Sequence, residues 1–139
     1  IMNGSIANSL MNYYQTDKSN LHPFTIKRIE AGIPVSASDY VSAIEQAKKM
    51  EQILKQFFLK YDAIITPAAP GQAPRDLMNT GNAIFNGYWT MMGVPAISLP
   101  FLKGKDDLPI GIQFITNWEK DFKLLEICKE VLKKEKLAD

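Results

Sequence analysis

The sequence is poor in the residues that build disulfides and metal sites. Its 139 residues include one cysteine, Cys128, and one histidine, His22. A single cysteine excludes an intramolecular disulfide, and these two residues cannot supply the four nitrogen or sulfur ligands of a structural zinc site. We therefore expect a cytoplasmic protein that binds no metal.

Long apolar runs and an excess of one charge are also lacking. The longest apolar stretch, residues 93–102, is too short to span a bilayer and is interrupted by Pro95 and Pro100. Sixteen Lys and Arg against fifteen Asp and Glu leave a formal charge of +1, so no global field attracts nucleic acid or anionic lipid. We expect neither nucleic acid nor membrane as a partner.

What remains is an ordinary globular composition. Hydrophobic residues make up 46% of the chain and charged residues 22%, which argues against disordered or coiled-coil chains. The length fits one core, so we predict a single domain over residues 1–139. Because Ile1 precedes Met2, we also expect the chain to be a portion of a longer protein.

Hydrophobic periodicity predicts helices. Ser36 and Asp39 have the spacing of a capping box, and apolar residues then recur at three- and four-residue steps over residues 38–60. Weaker helical patterns cover residues 1–16, 24–29 and 85–92. A last helix is expected to begin at Asp121, with an apolar stripe of Phe122, Leu125, Cys128, Val131 and Leu132.

Three segments have strand patterns. Residues 62–66 are an apolar run closed by Pro67, and residues 96–101 and 110–116 alternate around a polar turn, which predicts an antiparallel hairpin. One face of that hairpin carries small or polar residues, namely Ala96, Ser98, Gly111 and Gln113, so we expect a tightly packed neighbour there. The predicted fold class is α/β, or α+β for the isolated piece, with a small mixed sheet flanked by helices.

Local catalytic motifs are absent. The sequence has no Gly-x-Ser-x-Gly elbow, no serine followed three residues later by lysine, and no glycine-rich phosphate loop. His22 lies beside Pro23 in a predicted loop, and Cys128 lies on an apolar helix face, which is not the setting of a reactive thiol. The residues by themselves indicate no catalytic group and no cofactor.

Four segments, in this order, resemble the C-terminal third of an amidase signature enzyme. They are residues 61–67 (YDAIITP), 80–82 (TGN), 89–100 (WTMMGVPAISLP) and 108–115 (LPIGIQFI). Residues 32–40 (GIPVSASDY) are similar to the family's entry to its long helix, and Asp121 with Leu124-Leu125 is similar to its closing helix. The likeness extends over about residues 20–135 in order.

This resemblance implies part of the larger amidase signature fold, and an enzyme that hydrolyses the carbon–nitrogen bond of a small amide. Family members use a Lys, a bridging Ser and a nucleophilic Ser, without metal or organic cofactor, and these positions lie upstream of the matched region. The chain would then be catalytically incompetent by itself and would need the missing N-terminal part. The Trp89-Thr90 pair favours a general amidase over the related tRNA-dependent amidotransferase.

The residues expected to reach the substrate follow a strand end or precede the hairpin. They are Thr66, Pro67, Trp89, Thr90 and Met92. Simple packing is the alternative for each of them taken singly. For the whole chain, the alternative is a non-catalytic α+β binding or structural module with an amidase-like scaffold.

The predicted sheet would have exposed edge strands, which pair readily with another chain. We therefore expect the isolated chain to associate with itself or with the missing N-terminal part. Light scattering over a range of concentrations measures the mass of the purified chain. A mass that stays at the monomer value at high concentration would contradict this expectation.

Overall fold

The computed structural model describes residues 1–76 and 78–135. The helices and strands of this part of the chain are α1 (Met2–Thr16), α2 (Pro23–Gly32), α3 (Ala37–Phe58), β1 (Ile64–Pro67), α4 (Ile84–Met92), β2 (Ala96–Lys103), β3 (Pro109–Ile115) and α5 (Asp121–Glu135). The three predicted strands are confirmed, with each boundary within two residues of the expected position. In the described ranges, each helix is too short or too polar to cross a bilayer.

The chain divides into two compact units, one formed by Ile1–Met50 and one that begins at Glu51. The single domain expected over residues 1–139 stays a prediction.

In the first unit, α1 and α2 pack closely through small side chains. Ile29 of α2 is completely buried, and Ala7 of α1 is also buried. A Cβ added at Gly32 would overlap the backbone carbonyl of Asn3 and lie 2.7 Å from the Cβ of Ala7. The absence of a side chain at Gly32 therefore allows the two helices to approach this closely.

Side-chain caps begin two helices of the first unit. His22 Nδ1 accepts a hydrogen bond from the Phe24 N–H at 3.2 Å, so the chain's histidine caps α2. Ser36 Oγ accepts from the Asp39 N–H at 3.1 Å and donates to the Asp39 carboxylate at 2.7 Å. The capping interaction predicted for the long helix is thus confirmed, and it satisfies a backbone donor that the first turn of α3 leaves free.

The second unit contains a three-stranded sheet with the order β1-β3-β2. The predicted hairpin of β2 and β3 is confirmed, and β1 also pairs antiparallel with β3. The predicted fold class is confirmed. The prediction of a mixed sheet is wrong for the described strands, because the central strand β3 pairs antiparallel with both β1 and β2.

Helix α5 covers the apolar face of this sheet. Phe114, Leu124 and Cys128 form the buried centre of the contact. Burial raises the pKa of the Cys128 thiol, which favours its protonated form. The predicted stripe is wrong at Phe122 and Leu125, which are exposed. Successive helical residues point about 100° apart, and Leu124 faces the core in place of Leu125.

The close α1–α2 contact yields a test. Gly32→Ala is expected to lower the free energy of unfolding by about 1–3 kcal/mol, because the new Cβ overlaps the Asn3 carbonyl. Gly87, inside α4, is the matched control because a Cβ there meets nothing within 4 Å. Gly87→Ala should raise stability by roughly 0.5–1 kcal/mol through helix propensity. Urea unfolding followed by circular dichroism measures both, and equal effects would contradict the contact.

Candidate functional site

The polar face of the sheet is organised around one buried amide, Gln113 on the central strand. Thr66 of β1 and Ser98 of β2 lie directly opposite Gln113 in the two ladders. The side chain of Gln113 is only 3% exposed, although it carries two polar atoms. A buried amide is expensive unless it is hydrogen-bonded, so its partners determine the local arrangement.

The Nε2 group of Gln113 joins three segments of chain. Its two hydrogens are shared among three acceptors, which are Thr66 Oγ1 at 2.9 Å, the Pro67 carbonyl at 3.0 Å and the Phe85 carbonyl at 3.3 Å. Backbone carbonyls can only accept hydrogen bonds, so the orientation of the amide is fixed. The contact attaches the end of β1 and the first turn of α4 to the central strand.

A cleft of about 340 Å³ lies between α4 and this face of the sheet, and we call it the Gln113 cleft. It is lined by Asn86, Trp89, Thr90, Val94, Ala96, Ile97, Ser98 and Gln113. Trp89 is half-buried, whereas Thr90 and Ser98 are exposed. The cleft therefore combines an aromatic wall with hydroxyl and amide groups, as small-molecule sites do.

The C-terminal end of α4 is held by a second hydrogen bond. Trp118 Nε1 donates to the Met92 carbonyl at 2.8 Å. Gly93 follows in the left-handed conformation with φ 67°, which favours glycine and ends the helix. Both ends of α4 are thus attached to the sheet unit, and this fixes the side of the cleft that carries Trp89 and Thr90.

The loop after β1 forms a second cleft of about 510 Å³, and Asn86 lines both clefts. Gln72 in this loop donates to the Asp106 carboxylate and accepts from the Asp106 N–H at 3.1 Å, which ties the loop to the β2–β3 turn. A Cβ at Gly111 would overlap Ser98 and lie 3.1 Å from Ala68 in the same loop. The close neighbour predicted for the small-residue face is therefore present.

The structure brings most of the predicted site residues together. Thr66 and Pro67 share the Gln113 side chain as a hydrogen-bond donor, and Trp89 and Thr90 line the Gln113 cleft. Met92 is buried and is not among the lining residues. The substrate-binding role of these five residues stays a prediction.

Sequence reasoning placed Gln113 on the small-residue face but missed its central position. The available signal was a long amide side chain among small neighbours, Ala96, Ser98 and Gly111. Such a side chain has room to extend over the sheet, and once buried it must find partners. Asn86 and Ser98 were missed as lining residues because only the folded chain places them beside Trp89.

Two serine hydroxyls of the described residues have structural partners. Ser36 caps α3, and Ser5 shares a hydrogen bond of 2.9 Å with the Tyr40 hydroxyl. Within residues 1–76 and 78–135, no serine is hydrogen-bonded to a lysine or histidine side chain. The arrangement in this part of the chain can bind and orient a small molecule.

Comparisons with known proteins identify one family throughout. The family model described as Amidase matches residues 3–125. The chain is also similar to the A subunit of the glutamyl-tRNA(Gln) amidotransferase from Aliarcobacter butzleri (strain RM4018), with 34% identity over 116 residues. This match covers 76% of the present chain and 26% of the relative, so the chain spans about a quarter of that relative's length.

Solved structures share the fold. A crystal structure of an amidase superposes with a TM-score of 0.76 at 21% identity, and the match covers 90% of this chain and 31% of that one. The 6-aminohexanoate cyclic dimer hydrolase complexed with substrate gives a TM-score of 0.66 at 17% identity, covering 88% and 31%. The comparisons include both amidases and part of an amidotransferase, so the preference for a general amidase stays a prediction.

The hydrogen bonds of Gln113 can be tested directly. Gln113→Met keeps a side chain of similar length and removes the donor, so the Pro67 and Phe85 carbonyls and the Thr66 hydroxyl lose the hydrogen bond from Nε2. We expect the free energy of unfolding to fall by about 1–3 kcal/mol. The control is Ser98→Ala on the same face, which should change stability by no more than about 0.5 kcal/mol. Indistinguishable urea midpoints for the two variants would contradict the anchoring role.

Proposed function

The chain belongs to the amidase family, and from this we propose that it forms part of an enzyme that hydrolyses the carbon–nitrogen bond of a small amide. The observation that carries the proposal is the Gln113 cleft, which combines an aromatic wall with neutral hydrogen-bonding groups. Such a lining suits a small organic substrate. In this proposal the chain is the C-terminal portion of a single amidase signature domain and acts in the cytoplasm.

The catalytic Lys, bridging Ser and nucleophilic Ser are proposed to lie in polypeptide outside these residues. The Lys would remove a proton from the nucleophilic Ser through the bridging Ser, and the Ser would attack the carbonyl carbon to give an acyl-enzyme. The amine would leave with a proton, and water would then release the acid. The match to only 26% of a relative's length supports this division.

This chain would supply part of the wall against which the substrate is oriented. We propose that Trp89 and Thr90 contact the substrate from the Gln113 cleft, and that Thr66 and Pro67 position the loop after β1 through their hydrogen bonds with Gln113. Met92, whose side chain is buried, would support the wall from behind. The proposed partners are therefore a small amide, the missing N-terminal part and, in the isolated chain, a second copy.

Because the catalytic residues are proposed to lie outside this chain, the chain alone is expected to be inactive. Incubated with small amides or esters, it should release no product, and a serine-directed fluorophosphonate should label no residue. A chimera tests the amidase role: this chain replaces the matched 31% of the amidase of known structure. The folded chimera should release ammonia from a small amide, and the same protein with the segment deleted should not.

Two outcomes would contradict the proposal. Labelling or turnover by the pure chain alone would show that it carries its own nucleophile. A chimera that unfolds cooperatively, and so is folded, but hydrolyses no amide would favour the alternative, a non-catalytic α+β module with an amidase-like scaffold.

A further inference from the structure

One side-chain polar atom of Gln113 has no hydrogen-bond partner among the residues that the structure describes. Nε2 donates to Thr66, Pro67 and Phe85, whereas Oε1 accepts no hydrogen bond from residues 1–76 or 78–135. Every fully buried side-chain nitrogen or oxygen in these ranges has a partner. Oε1 is therefore not fully buried, although Gln113 as a whole is 97% buried.

The Gln113 cleft is an opening beside Gln113. Gln113 lines this cleft, whereas the three acceptors of its Nε2, Thr66, Pro67 and Phe85, do not. Oε1 and Nε2 are the two branches of one planar amide, so the hydrogen bonds of Nε2 also fix the direction of Oε1. Oε1 is thus a hydrogen-bond acceptor whose orientation is set before any ligand arrives.

The lining of the cleft carries no formal charge. It consists of aliphatic residues, the Trp89 ring, two hydroxyls and the amides of Asn86 and Gln113. A charged ligand would lose hydration here without meeting an opposite charge, which is unfavourable. A neutral ligand with an N–H donor and an apolar body would find a partner for each part. The volume of about 340 Å³ is near the lower end for ligand sites and suits a molecule about the size of benzamide.

We propose that Oε1 of Gln113 faces the Gln113 cleft and that this cleft binds a small neutral carboxamide, whose N–H donates to Oε1 while its apolar part packs on Trp89. This carboxamide is the scissile group or a neighbouring amide of the substrate, an assignment that rests on the proposed function. Gln113 is then a specificity-determining residue. It selects neutral amides over carboxylates and over free amino acids such as glutamine.

A titration of the isotopically labelled 139-residue chain followed by NMR tests the site. The probes are benzamide, N,N-dimethylbenzamide, which has no N–H, and benzoate, which is charged. Benzamide should shift the indole signal of Trp89 and the side-chain amide signal of Gln113. Trp118, the other tryptophan, is the internal control because its indole N–H is engaged with the Met92 carbonyl. N,N-dimethylbenzamide should bind about fivefold more weakly, the effect of one hydrogen bond, and benzoate weaker still.

Two variants sharpen the test. Gln56→Met, at an exposed position of α3 that does not line the cleft, should keep the preference for benzamide over N,N-dimethylbenzamide, whereas Gln113→Met should abolish it. Where Gln113→Met does not fold, the ligand series on the unaltered chain decides by itself. Equal affinity for benzamide and N,N-dimethylbenzamide, tighter binding of benzoate, or no shift of the Trp89 signal would each overturn the proposal.

The binding test and the test of amide hydrolysis fail independently. Selective binding of benzamide with an inactive chimera would leave the site standing and remove the enzymatic role. An active chimera, with no selective binding of benzamide to the chain, would support the enzymatic role and remove the proposed site.

Discussion

The second unit depends on satisfying one buried amide. Gln113 lies at the centre of the sheet's polar face, and withdrawing it from water is favourable only because Thr66, Pro67 and Phe85 accept its hydrogen bonds. Those acceptors belong to β1 and to the first turn of α4, which are distant in sequence from β3. Burying the amide and positioning these two elements are therefore the same event.

The small residues around Gln113 make this arrangement sterically feasible. A Cβ at Gly111 would overlap the Ser98 hydroxyl and lie 3.1 Å from the Cβ of Ala68, so Ser98 would have to turn and the loop after β1 would have to shift slightly. With glycine there, the Ala68 N–H donates to the Gly111 carbonyl at 2.9 Å and continues the contact beyond the end of β1. The small residues Ala96 and Ser98 line the Gln113 cleft, and Gly111 lines the second cleft.

Much of this fold follows from local sequence patterns. The α3 helix was predictable because Ser36 and Asp39 form a cap and the apolar spacing continues for many turns. The strands were predictable because their alternation has period two. Patterns of this kind carry no information about which distant groups meet. The hydrogen bonds of Gln113 link residues 28 to 47 positions apart, and the pairing of β1 with β3 is equally non-local. For the same reason the helical pattern could not decide whether Leu124 or Leu125 of α5 would enter the core.

The uncharged lining of the Gln113 cleft also bears on the proposed chemistry. A lysine acts as a base only in its neutral form, whereas an exposed lysine has a pKa of about 10.4. A nearby carboxylate would stabilise the charged ammonium and raise that pKa, and neutral, apolar surroundings lower it. Two acidic groups of this unit are engaged elsewhere: Asp106 with Gln72 and Arg75, and Asp62 with Lys123. A wall without carboxylates thus favours the neutral, basic form of any lysine that faces it, which is the form that a serine hydrolase of the proposed kind requires.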